Sequence, residues 1–88
     1  MIARLTVVAS TYIIGSVDFD AMPAVDDYIV YRTGDTVLNL KVNSRVWNAA
    51  RTTQSGSPEV ILYVYGDDPE ARKYIEATLL RASKEQKG

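Results

Sequence analysis

The clearest pattern of apolar and polar positions lies between residues 27 and 47. Residues 28–31 are all β-branched or aromatic, which favours a short strand. A tight turn with a bulge after it is expected at Gly34, and a much longer alternating segment follows. The pattern therefore predicts a β-hairpin with one short arm and one very long arm. On the long arm it directs Leu38, Leu40, Val42, Ser44 and Val46 towards the core, and Asn39, Lys41, Asn43, Arg45 and Trp47 outwards.

The segments on either side of this hairpin also have patterns that predict strands. Residues 2–19 are extended over more than the usual strand length. They form either one strand bent or bulged near Ser10 or two strands with a turn at Gly15. Residues 59–65 are apolar or aromatic on both faces, as in a central strand or a strand beneath a helix. Residues 48–58 are rich in Ser, Thr and Gly and predict a loop.

A helix is predicted at the C-terminal end of the chain. The Asp-Pro pair at residues 68–69 provides an N-cap and a favourable first helical position. Apolar residues then recur at helical spacing to about residue 84, while Leu80 falls on the opposite, polar side. Residues 85–88 are expected to fray. The apolar face consists of Ala71, Ile75, Thr78, Leu79 and Ala82.

These elements predict one α+β domain over residues 1–88, a length that suits a single core. Strands that follow one another along the chain usually pair antiparallel, and a small sheet curls because its strands twist. We therefore expect a small antiparallel, strongly curved sheet or partly open barrel of four to five strands, with one C-terminal helix.

The connection before the hairpin resembles that of a family of small uncharacterised β-barrel proteins encoded by bacteria and phages. In that family a first strand leads into a Met-Pro-x-x-Gly-Asp-x-Ile turn, and Asp26 stands here in the position of the glycine. Residues 42–47 and 60–62 correspond to its later strands. The resemblance implies a small barrel and no particular activity. The residues that match the turn are Phe19, Met22, Pro23, Val25, Asp27 and Ile29.

Composition narrows the possible functions. The chain lacks cysteine, which excludes disulfides and thiolate metal sites and fits a cytoplasmic protein, and it lacks histidine, the usual general base. A net charge of −1 is unfavourable for nucleic acid binding, although residues 31–58 carry four basic residues and one acidic residue. The longest apolar run, residues 5–14, is too short to span a membrane.

Two sets of residues are candidate interaction sites. Aromatic and apolar side chains that a small monomer does not need are typical of protein interfaces, and they predict a homo-oligomer or binding to another protein. This set is Trp47, Ile61, Tyr63, Tyr65 and Leu80. The alternative is a nucleic acid platform, because bases stack on rings and phosphates pair with cations; this set is Lys41, Arg45, Trp47 and Arg51. The competing interpretation is a solvated sheet face whose rings complete the core.

No cofactor, metal or catalytic site is expected. The acidic residues Asp18, Asp20, Asp26 and Asp27 surround a proline-containing connection and lack calcium-loop spacing, so solvation is the simpler explanation. No nucleophile elbow, phosphate loop or dinucleotide fingerprint occurs in the chain. The sequence thus predicts a non-catalytic protein. A small-molecule pocket between helix and sheet is a further alternative that leaves no signature in the residues.

Overall fold

The computed structural model describes residues 1–52 and 58–86, and its elements follow the predicted order. Five strands precede a single helix, and the protein is a small α+β fold. The elements are β1 (Ile2–Val7), β2 (Ile13–Asp18), β3 (Tyr28–Thr33), β4 (Thr36–Thr52), β5 (Pro58–Gly66) and α1 (Pro69–Gln86).

The strands form one mixed sheet in the order β2-β1-β5-β4-β3, which curls into a half-barrel. Three neighbouring pairs are antiparallel, but β1 and β5 are parallel. The sequence analysis expected an antiparallel sheet, and the sheet differs from that expectation in this one pair. Pairing between the first and the last strand leaves no local signal, whereas sequential hairpins do. The prediction that residues 59–65 form a central strand is confirmed.

Residues 2–19 form two strands, and the turn between them precedes Ile13. Ser10 stabilises the reversal, because its amide donates to the Val7 carbonyl at 3.2 Å and its hydroxyl accepts from the Tyr12 amide at 3.1 Å. The predicted turn at Gly15 is wrong, since Gly15 lies inside β2 opposite Leu5.

The core lies between α1 and the face of the sheet that α1 covers, which we call the inner face. The helix begins as predicted, since the Ala71 amide donates to the Asp68 carboxylate at 2.8 Å. Gly66 allows a close approach, because a Cβ there would meet the backbone of Ala71 and Arg72. The buried apolar residues are Ala3, Leu5, Val7, Ile29, Leu38, Leu40, Val42, Val60, Leu62, Val64, Ala71 and Ile75.

A β-bulge interrupts the long strand β4 at Asn43. Val42 lies opposite Val64 on β5, but Ser44 lies opposite Tyr63, so Asn43 is an extra residue on β4. The turn at Gly34, with φ 59°, forms as predicted, but the hairpin register continues after it without the expected bulge. The bulge in β4 therefore lies at Asn43, nine residues after Gly34.

The bulge reverses the faces of β4 beyond it. Arg45 lies opposite Leu62 and Trp47 opposite Val60, and both of these β5 partners are buried. Because opposite residues share a face, Arg45 and Trp47 lie on the inner face, and Val46 lies on the outer face. The predicted faces are correct up to Val42 and wrong after it, since an inserted residue shifts the two-residue period.

The connection between β2 and β3 closes one end of the half-barrel. Asp26 has a φ of 73° and occupies the third position of a turn in which the Asp27 amide donates to the Ala24 carbonyl at 3.1 Å. This left-handed conformation favours glycine over residues that have a Cβ. The Arg45 guanidinium donates to the Pro23 carbonyl at 3.2 Å, which ties the connection to β4.

The predicted loop over residues 48–58 is shorter than expected. β4 continues to Thr52, which lies opposite Pro58 at the start of β5. The register between the two strands shifts between Asn48, which lies opposite Glu59, and Thr52. Residues 53–57 and 87–88 lie outside the described residues. The helix ends at Gln86, two residues later than predicted.

Candidate interaction face of the sheet

The convex face of the sheet is not covered by any described element. The helix packs on the inner face, and the β2–β3 connection crosses an end of the half-barrel, so the opposite side remains open. We call this side the outer sheet face. Four neighbouring strands, β1, β5, β4 and β3, contribute side chains to this face. They include Arg4, Thr6, Tyr28, Val30, Lys41, Val46, Ile61, Tyr63 and Tyr65.

Three residues of β5 form the centre of the outer sheet face. Ile61, Tyr63 and Tyr65 alternate with the buried residues of the same strand and are each half-buried by neighbours on β1 and β4. Val46 lies beside Ile61 and is exposed to solvent. These residues make an aromatic and aliphatic strip along the central strand.

The side of this face near β3 is the most exposed. Tyr28 is 66% exposed and Val30 is 70% exposed, the two highest values among large apolar side chains of the described residues. Contiguous exposed apolar surface on a small protein is typical of an interaction site. The sequence analysis assigned both residues to a strand without including them in a site. Their alternation with Ile29 and Tyr31 was the available signal.

Lys41 lies between two tyrosines on the outer sheet face. The strand register places it opposite Tyr28 on β3 and Tyr65 on β5. Its ammonium group lies 5.2 Å from the centre of the Tyr28 ring, a cation–π distance. The phenol groups of Tyr28 and, next, Tyr65 raise the pKa of Lys41 above its ordinary value. Lys41 therefore keeps its charge to a higher pH than an isolated lysine does.

Two ion pairs neutralise other charges on this side of the sheet. Arg4 forms an ion pair with Glu59 at 2.8 Å, and the amino terminus of Met1 forms one with Asp18 at 2.7 Å. Exposed ion pairs contribute little stability, but they neutralise the surface locally. The outer sheet face is consequently apolar and aromatic along β5, with Lys41 and Arg32 as cations towards β3.

The structure separates the residues of both predicted sites. Trp47, 44% exposed, is on the inner face at the end of the half-barrel, with the Arg45 guanidinium 5.8 Å from its ring centre. Leu80 is 60% exposed on α1. The Arg51 side chain lies outside the described residues. The residues that do share the outer sheet face are Ile61, Tyr63 and Tyr65 of the first set and Lys41 of the second.

The acidic residues have structural contacts. Asp18 pairs with the amino terminus, and the Asp27 carboxylate accepts from the Ala24 amide at 2.8 Å. Within residues 1–52 and 58–86, no three acidic side chains gather into a group that could hold a metal ion. That the protein uses no metal stays a prediction.

Comparison with known proteins identifies no relative. No family model matches the chain, and no curated protein or solved structure is detectably similar to it. The described part of the chain also contains no helix long and apolar enough to cross a lipid bilayer. Any argument about function therefore starts from the geometry of the outer sheet face.

Proposed function

We propose that this protein is a non-catalytic interaction module of the cytoplasm that self-associates through its outer sheet face. The observation that carries the proposal is the number of apolar and aromatic side chains on one open face: Tyr28 and Val30 on β3, and Val46 with the strip of β5 on the other side of Lys41. Aromatic side chains are enriched at the centres of protein interfaces, and charged side chains are depleted there. The absence of cysteine agrees with a reducing compartment.

A second copy of the chain is the partner that this face fits best. A partner of strong charge would require an opposite field, but the Arg4–Glu59 ion pair is internally neutral and Lys41 is engaged with Tyr28. Lys41 and Arg32 remain charged on this face, and a two-fold axis near Ile61 sets the copies of each apart, because Lys41 lies beside Tyr65, four residues along β5 from Ile61. Association of this kind depends on burial of apolar area and is insensitive to salt.

The test is the solution mass of three proteins over a range of concentrations, measured by sedimentation equilibrium. The wild-type chain is expected to form dimers or larger oligomers. Ile61→Lys places a charge in the centre of the outer sheet face and is expected to weaken association at least tenfold. Leu80→Lys is the matched control, because Leu80 is an exposed apolar residue on α1, away from the sheet.

The outcomes separate the faces of the molecule. Loss of association in Ile61→Lys but not in Leu80→Lys supports the outer sheet face. A wild-type mass of one chain at millimolar concentration contradicts self-association. Weakening by Leu80→Lys but not by Ile61→Lys assigns the interface to the helix and contradicts the outer sheet face, and a melting curve for each variant verifies that it is folded.

Binding of single-stranded nucleic acid is the second candidate. The observation that favours it is the row Tyr28–Lys41–Tyr65, which presents a cation between two rings on an open sheet face. Arg45 and Trp47 lie on the other face of the sheet, so the row is smaller than the set that the sequence predicted.

Salt and substitution together test this second candidate. Oligonucleotide affinity is expected to fall steeply between about 50 and about 200 mM salt, in proportion to the number of phosphate contacts. Lys41→Ala is expected to weaken binding strongly and Arg45→Ala weakly, since Arg45 is engaged with the Pro23 carbonyl. Equal affinities for the two variants and the wild-type protein would eliminate nucleic acid as the ligand.

A further inference from the structure

The half-barrel has one lengthwise opening, between the edge strands β2 and β3. These strands end the sheet on either side and do not pair with each other within the described residues. Gly15 on β2 and Tyr31 on β3 both point inwards, and a Cβ at Gly15 would overlap the Tyr31 hydroxyl. The Tyr31 side chain thus spans the opening from the inside. Tyr31 is partly exposed, although its neighbour Ile29 is buried.

The free hydrogen-bonding groups of β3 follow from its pairing with β4. The Val42 amide donates to the Asp27 carbonyl at 2.9 Å, so Val42 is a hydrogen-bonded position on the edge of β4 that faces β3. Antiparallel pairs alternate between bonded and non-bonded residues, so the even-numbered positions Leu40 and Leu38 bond to Ile29 and Tyr31. The backbone groups left facing the opening belong to Tyr28, Val30 and Arg32.

The same reasoning applies to β2 on the other side of the opening. Met1 and Phe19 exchange backbone hydrogen bonds, with the Phe19 amide 2.7 Å from the Met1 carbonyl. Alternation then assigns the bonded positions to Val17 and Gly15. Ser16 and Asp18 consequently direct their backbone groups into the opening. The opening is lined by two rows of unpaired donors and acceptors.

The opening is wide enough for at most one additional strand. A tyrosine side chain that reaches Gly15 limits the separation of the two backbones to about 10 Å, roughly twice the spacing between paired strands. A whole second sheet edge does not fit there, because its next strand would overlap β2. One extended segment pairs with both edges and closes the sheet into a six-stranded barrel.

The edge formed by β3 also lacks the usual protection against strand pairing. Edge strands are commonly blocked by proline, lysine, a bulge or very short length. β3 has six residues, no proline, a single charged side chain near its end (Arg32), and an uninterrupted register with β4. Its backbone is therefore ready to accept a partner.

We infer that the opening between β2 and β3 binds an extended peptide segment of a partner protein by strand addition, at a site separate from the outer sheet face. The segment runs antiparallel to one edge and parallel to the other, as β2 and β3 run in opposite directions. Main-chain hydrogen bonds supply most of the affinity. The side chains of the segment that point inwards are small where the segment crosses the Tyr31 ring. They are apolar near the cleft of about 80 Å³ under α1, which is lined by Val7, Ile14 and Ile75.

The test begins with a phage-displayed library of random 12-residue peptides selected on the full-length protein. A selected peptide is then synthesised and titrated by fluorescence anisotropy. Val30→Pro removes an amide that faces the opening without removing a bond to β4, and an edge strand tolerates proline at such a position. This substitution is expected to weaken the affinity for the peptide at least tenfold. Val30→Thr keeps the amide and the side-chain shape, and is expected to bind within twofold of wild type.

A second measurement needs no substitution in the protein. N-methylation of the central amides of the peptide removes its main-chain donors and is expected to abolish binding. On binding the unmodified peptide, the amides of Ser16, Val30 and Arg32 are expected to exchange with solvent at least tenfold more slowly. Failure to enrich any peptide, or equal binding of the N-methylated peptide, overturns the inference.

Ile61→Lys separates this inference from self-association. It lies on the outer sheet face and is expected to leave peptide affinity within twofold of wild type. Loss of peptide binding in Ile61→Lys, with Val30→Pro unaffected, would place the peptide on the outer sheet face instead. Either proposal can therefore fail while the other stands.

Discussion

At the scale of single residues, Asp26 adopts a backbone conformation that suits glycine better. Its φ of 73° lies in the left-handed region, where the Cβ of an L-residue approaches the neighbouring carbonyl. Aspartate tolerates this region better than alanine, and glycine enters it without strain. The turn is therefore formed at some cost in stability.

Substitution at Asp26 measures that cost. Asp26→Gly is expected to be more stable than Asp26→Ala by about 1 kcal/mol in the free energy of unfolding, after allowance for the greater entropy of unfolded glycine. Urea denaturation followed by circular dichroism provides the comparison. An alanine variant as stable as the glycine variant would show that the turn is not strained.

Gly66 is required for the contact between β5 and α1. Gly66→Ala places a Cβ against the backbone of Ala71 and Arg72, which cannot move without displacing the helix. The expected loss of unfolding free energy is about 1–3 kcal/mol, typical of overpacking in a core. Denaturant titration measures it.

Gly15→Ala is the control for this prediction. The added Cβ there meets the end of the Tyr31 side chain, which can rotate away. Combined with Tyr31→Phe, which removes the hydroxyl, it is expected to cost less than Gly66→Ala. The reverse order would indicate that α1 adjusts more easily than the Tyr31 ring.

At the scale of elements, the start of α1 links the helix to β4 through Asp68. Its carboxylate accepts from the side-chain amide of Asn39 at 2.7 Å and from the backbone amide of Ala71 at 2.8 Å. These bonds, together with the positive charge of Arg72, lower the pKa of Asp68 below its ordinary value of 3.8. The ionised form is therefore favoured in the folded protein.

This shift predicts a dependence of stability on pH. Because the folded pKa lies below the unfolded one, Asp68 stabilises the fold above pH 3.8, and the contribution disappears as the pH falls through the folded pKa. Asp68→Ala is expected to melt below the wild-type temperature at pH 7, with the difference shrinking towards pH 2. Thermal melts across this range test it, with the neighbouring Asp67→Ala as control. A difference independent of pH would contradict it.

Elements were predictable where the signal is local. The Asp-Pro helix start, the alternation up to Val42 and the central position of β5 could all be read from neighbouring residues. The bulge at Asn43 could not, because an inserted residue has no distinctive side chain and its effect depends on the partner strand. That one residue moved Arg45 and Trp47 off the predicted site.

At the scale of the whole molecule, self-association ties stability to concentration. If folded chains associate through the outer sheet face and unfolded chains do not, mass action favours the folded state as concentration rises. A tenfold increase is expected to raise the melting temperature by about 2–4 °C for a dimer of this size. Differential scanning fluorimetry over a hundredfold range measures the slope. Ile61→Lys should show none, and a flat wild-type profile would contradict the proposed dimer.

The overall fold was predictable in class and number of strands, but not in topology. Hairpins connect residues that are close in sequence, so β3–β4 and β4–β5 follow from pattern and turn chemistry. The contact of β1 with β5 joins segments more than fifty residues apart, and only the packed core selects it. The outer sheet face depends on the hairpins and on the β1–β5 contact, because Arg4 and Thr6 join this face only through that contact.

The parallel pairing of β1 with β5 also determines when the protein can fold during synthesis. As the chain leaves the ribosome, the hairpin of β1 and β2 emerges early but has no neighbour on its other side until Pro58–Gly66 has followed. Contacts this distant in sequence make folding slow relative to helical proteins of the same length. The nascent chain therefore exposes the inner side of β1 until β5 has emerged, and chains stalled before residue 66 are expected to depend most on a chaperone.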